Sequence, residues 1–132
     1  MTLLKPLAAL LLGAAAFHAG AADTELNLYS ARHYQTDEAL YSNFTAKTGI
    51  KINRIEGKED ELLERIRNEG ANSPADVFIT VDAARLAVAD AAGVFAPVKS
   101  ETLKAAIPDH LHTERWFSFS TRARVIVYNK LG

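Results

Sequence analysis

The chain contains no cysteine. Disulfide frameworks, zinc–thiolate centres and iron–sulfur clusters are excluded with it, because each needs thiolate sulfur. An excess of one charge is also missing: 15 Lys and Arg stand against 16 Asp and Glu, a formal net charge of -1. No basic field is therefore present to attract nucleic acid or anionic lipid. The chain has no phosphate-binding glycine loop, dinucleotide fingerprint, nucleophile elbow or zinc-protease helix motif. The sequence thus offers no signature of an enzyme. The longest apolar run, Leu7 to Phe17, is shorter than the roughly 20 residues that span a bilayer.

That run is what the first 22 residues are built around. One early cation, Lys5, precedes it, and the small residues Ala19-Gly20-Ala21 follow it. A positive start, an apolar middle and an A-x-A close make a secretory signal peptide over residues 1–22, with cleavage expected after Ala21 or Ala22. No lipid-accepting cysteine follows, so residues 23–132 are expected to be freely soluble, with no stable membrane insertion after cleavage.

Beyond residue 23, short apolar runs alternate with helical patterns. "ELNLYS" reads as a first strand, and Thr36 or Asp37 is placed to cap a helix running to about Lys47, with Leu40 and Phe44 as its apolar stripe. Gly49 sits where a helix-ending glycine belongs. "IKINRIE" reads as a second strand. In "GKEDELLERIRNEG", Leu62, Leu63 and Ile66 form one face, and acidic residues fill the first turn, as the helix dipole favours. "ADVFIT" is a continuous apolar strand of the kind covered on both faces. A helix capped by Asp82 and stopped by Gly93 follows, then a short helix at 101–106 ended by Pro108, and two more apolar runs, 116–119 and 125–128. The second of these reads as a last strand. The alternation predicts an α/β fold with a mostly parallel sheet flanked by helices.

Three segments, "SARHYQTDEALY", "GANSPADVFITVDAARL" and "STRARVIVYNK", carry a family resemblance. Residues 25 to 130 resemble the first part of the ferric-iron-binding proteins of bacterial ABC importers, which are type II periplasmic solute-binding proteins. The resemblance implies that residues 23–132 are the first lobe of such a protein. Family members continue into a second lobe, which supplies further ligands, including two adjacent tyrosines. This sequence has no Tyr-Tyr pair, and a truncated form without the second lobe is expected. The implied activity is capture of ferric iron, Fe3+, in the periplasm for an ABC permease of the inner membrane, by a monomer and without catalysis. The alternatives are a receptor of the same fold for another small solute (an oxyanion, a phosphonate or an organic cation) or a nonfunctional fragment.

His33 and Tyr34 fall on the family's first-lobe metal positions. By themselves, an imidazole and a phenol on a polar loop are also what a solvated surface looks like. Ferric iron is a hard cation that favours anionic oxygen and tolerates imidazole. A phenol ordinarily keeps its proton to about pH 10, so a bound tyrosinate at neutral pH exists only because the metal stabilises it. Some members carry a ligating glutamate at the position matched here by Val81, so the resemblance implies a tyrosine-rich site. Arg122 and Arg124 match a segment that helps to hold a carbonate-type synergistic anion. A surface ion pair is the equal alternative for both, and Arg32 is open in the same way. His110 and His112 form an H-x-H pair beside Pro108 and read as a solvated loop. Tyr29 and Tyr41 read as packing residues, and Tyr128 as a strand residue.

Overall fold

The computed structural model describes residues 24–123 and 125–130. The signal segment 1–22 and Arg124 lie outside the described residues. The elements are β1 (Glu25–Ser30), α1 (Asp37–Thr48), β2 (Lys51–Glu56), α2 (Glu59–Glu69), β3 (Val77–Ile79), α3 (Ala83–Ala91) and α4 (Glu101–Ala106). Short 3-10 turns occupy Gly70–Asn72 and Asp109–Leu111. The three strands form one parallel sheet in the order β2-β1-β3. Parallel strands need a crossover, and helices α1 and α2 supply the two.

Strand β1 is central, and its residues 28 to 30 are buried. Alternation along it sends Tyr29 and Ala31 to the face that meets Leu62 and Ile66 of α2. Tyr29 is fully buried. Its hydroxyl donates to both carboxylate oxygens of Glu69 at 3.0 Å. Arg65 Nε (2.7 Å) and the Ser73 hydroxyl (2.7 Å) donate to the same carboxylate. The buried phenol therefore keeps a partner, as a polar group without water must.

The helix ends follow local chemistry. Asp82 caps α3 by accepting from the Arg85 N–H at 3.0 Å, and Ser100 caps α4 by accepting from the Leu103 N–H at 3.3 Å. Gly49 ends α1 at φ +74°, its N–H bonded to the Thr45 carbonyl at 2.9 Å. The left-handed conformation strains any residue with a Cβ.

Four expectations are corrected. Thr36 has helical torsions and makes no side-chain cap bond, and Asp37 turns its carboxylate to Arg32 instead. No residue of α1 is buried, and Leu40 is half exposed; the half-buried face holds Tyr41 and Phe44. The strand expected over "ADVFIT" is Val77–Ile79 alone, with Val77 exposed. It is an edge strand; before it, the Asp76 N–H donates to Asn27 O at 3.0 Å, while the Asn27 N–H donates to the Asp76 carboxylate at 2.8 Å. The run 125–128 forms no strand among the described residues, and Tyr128, Val125, Val127 and Ile126 are 75–94% exposed. High β-propensity makes a strand only where a neighbour offers a ladder.

Candidate metal centre

The carboxyl ends of all three strands open to the same side of the sheet, where α/β folds bind ligands. A depression of about 660 Å³ lies there, lined among others by Ser30, Ala31, His33, Glu56, Glu59 and Val81. It collects the turns that leave β1, β2 and β3.

The turn after β1 is tightly built. The Ala31 N–H donates to Ile79 O at 2.9 Å, and the Gly57 N–H donates to Ser30 O at 3.3 Å. The Ser30 hydroxyl accepts from the Arg32 N–H at 3.1 Å and donates to the Arg32 carbonyl at 3.0 Å. The Asp37 N–H donates to Tyr34 O at 2.9 Å, joining the turn to α1. His33 and Tyr34 are carried on this frame with exposed side chains, and their rings stack at 5.9 Å between centroids and 25° between planes.

His33 lines the depression, and Tyr34, outside that lining, stacks on His33. The Tyr34 hydroxyl lies 3.3 Å from Arg122 Nη1, which donates to it. Of the two expected anion-binding arginines, the structure thus brings Arg122 to the phenol. Val81 cannot ligate, but a carboxylate does reach it: Glu59 Oε1 accepts from the Val81 N–H at 2.7 Å. Glu59 is also paired with Arg85 at 3.3 Å. No three His, Cys, Asp or Glu side chains converge as a metal site among the described residues.

Arg32 proves to be an ion-pair residue. Its guanidinium grips Asp37 at 2.9 Å (Nε to Oδ2) and 3.1 Å (Nη2 to Oδ1). The hydrogen bond to Asp37 raises its pKa above the usual value. Asp37 was readable in the sequence only as a helix-start residue, and a five-residue spacing in a turn carries no signal of pairing. Phe119 and Ser120 also reach Arg32, by contact with its guanidinium; their distance along the chain hides them from sequence reading.

His110 and His112 do not act as a pair. His110 is exposed on the 3-10 turn, whereas His112 is half buried and stacks on Phe117 at 5.5 Å. The expectation of a solvated pair holds for His110 and fails for His112, because Phe117 covers its ring.

No protein-family model matches the chain. It is 62% identical over 108 residues to iron uptake protein A1 of Synechocystis sp., covering 80% of this chain and 30% of that protein. It is 35% identical over 112 residues to the Fe(3+)-binding periplasmic protein of Serratia marcescens, covering 84% of this chain and 33% of that protein. A solved Trichodesmium protein in complex with iron and citrate superposes with a TM-score of 0.70 at 59% identity, over 73% of this chain and 31% of that one. The chain spans about a third of the length of the curated relatives it matches. Over that third, the chain is homologous to bacterial iron uptake and Fe(3+)-binding proteins, and its small parallel sheet with flanking helices matches part of their type II periplasmic-binding-protein fold.

Proposed function

We propose that this chain forms one wall of a periplasmic ferric-iron site, with Tyr34 and His33 as the donors. The bound ion is cargo for an ABC permease, and the protein works as a monomeric binding protein rather than a catalyst. The observation that carries this reading is that His33 lines the depression above the carboxyl ends of the strands and the Tyr34 ring stacks against His33 at 5.9 Å. A phenolate is a hard anionic donor suited to Fe3+, and imidazole is an acceptable companion. The relatives named for iron add independent support. Residues 1–22 serve as the export signal, and residues 23–132 as a first lobe.

Arg122 next to the phenol supports a role for a carbonate-type anion, since a guanidinium fork matches a planar oxyanion. Arg124 is proposed for the same role from the sequence. Two protein donors leave most of the coordination sphere of a trivalent ion to water and small anions. Residues 23–132 taken by themselves are therefore expected to hold iron weakly.

The test is a titration of the chain with ferric nitrilotriacetate, read by the visible tyrosinate-to-iron charge-transfer band. Tyr34→Phe abolishes the band, and His33→Ala weakens binding while leaving the band in place. A band that survives Tyr34→Phe rules out this donor assignment. Binding of phosphate or sulfate without metal, unaffected by Tyr34→Phe, would instead favour an oxyanion receptor.

A further inference from the structure

The Arg32–Asp37 pair is out of place as a stability device. The two side chains are only 14% and 12% exposed, while their neighbours His33 and Tyr34 are exposed. Burying both charges costs desolvation that a pair barely recovers. The arrangement instead fixes an orientation. Each nitrogen of the Arg32 guanidinium has a partner: Nε and Nη2 grip Asp37, and Nη1 donates to Ser120 Oγ at 3.3 Å. Its faces are then left for rings. The Arg32 Cζ lies over the Tyr34 ring at 4.8 Å from the centroid, and over the Phe119 ring at 5.1 Å.

We propose that Arg32 is a positioning residue, a flat platform anchored by Asp37 and Ser120 that fixes the Tyr34 ring beside the depression. This rests on the reading of Tyr34 as an iron donor. The platform joins two segments 88 residues apart in sequence, since Ser120 and Phe119 meet Arg32 from the far end of the chain. It also sets Tyr34 within reach of Arg122, which arrives on the same distant segment. The geometry needs a planar group with donors along its edges. Lysine keeps the charge but has neither feature.

The experiment compares the chain with Arg32→Lys and Arg32→Gln, with far-UV circular dichroism confirming the fold. Arg32→Lys retains a cation for Asp37, so at least one variant keeps the buried carboxylate paired. The metal-free readout is proton NMR of the Tyr34 ring. The unmutated chain shows ring contacts to the Arg32 side chain and a ring-current shift on its δ-methylene protons. Arg32→Gln loses the ring's fixed contacts to His33. The metal readout is ferric nitrilotriacetate titration, where both variants bind about tenfold more weakly, the order expected from loss of one desolvated cation–π platform. The inference is overturned if Tyr34 shows no contact to Arg32 in the unmutated chain, or if Arg32→Lys binds iron as tightly as the unmutated chain. If that chain gives no charge-transfer band at all, the iron reading fails, and the NMR comparison still decides whether Arg32 orders the ring.

Discussion

Arg122 Nη1 donates to the Tyr34 hydroxyl at 3.3 Å, across 88 residues of sequence. The bond ties the segment after Phe119 to the turn after β1 and puts a cation beside the proposed donor. Both side chains are exposed, so the contact adds little to stability. The role proposed for it is anion recognition. Arg122→Ala is expected to leave the melting temperature within error and to remove the dependence of iron uptake on added bicarbonate. Parallel titrations with and without bicarbonate check this, and an unchanged dependence in the variant would remove Arg122 from the site.

Tyr29 and Glu69 contribute to the pH dependence of stability from opposite ends. The Glu69 carboxyl is held below the usual range, first by the Arg65 hydrogen bond, then by Ser73 and by Tyr29. That stabilisation stands above the unfolded carboxylate value of about 4.3 and is lost as pH falls through the lower folded value. The Tyr29 phenol is pushed up by burial and then by its bond to Glu69. Its contribution stands below the unfolded value of about 10 and is lost as pH rises through the higher folded value. Melting temperature against pH should therefore show a plateau with both flanks falling. Tyr29→Phe should flatten the alkaline flank and lower stability by about 1.5–3 kcal/mol, the cost of one hydrogen bond to a charged acceptor.

Gly49 isolates a backbone effect. Its φ is +74°, and a Cβ built there meets nothing within 4 Å. Gly49→Ala therefore costs only the left-handed conformation, about 1–2 kcal/mol. Chemical denaturation should show a lower midpoint with an unchanged slope. No loss would mean that the α1 terminus relaxes into another turn.

The elements that were legible are those whose reasons are local. The Leu62–Ile66 face of α2, the Asp82 cap and the Gly49 stop each depend on residues within one or two turns, and each stands as expected. Leu40 and the run 125–128 failed because burial depends on what lies opposite, which periodicity does not record. At the site, His33 and Tyr34 were visible as a pair on a turn, and the resemblance gave that pair a chemical meaning. The Arg32 platform was not visible, because Asp37 resembles a cap and Phe119 and Ser120 arrive from the far end of the chain.

Burial separates two apolar positions that the sequence makes look alike. Leu62 is 4% exposed within the cluster of Tyr29, Ala31 and Ile66, whereas Ile126 is 94% exposed. Leu62→Ala removes packed atoms and leaves a cavity under β1, so a loss of about 3 kcal/mol is expected. Ile126→Lys removes no packing, and its effect should fall within about 0.5 kcal/mol. The lysine should also raise solubility, because a charge interrupts a bare run of β-branched residues that invites edge-to-edge association. Denaturant melts of both variants, with light scattering of the second, check the pair. A large loss from Ile126→Lys would mean that the run 125–128 is packed in solution against a surface it does not touch here.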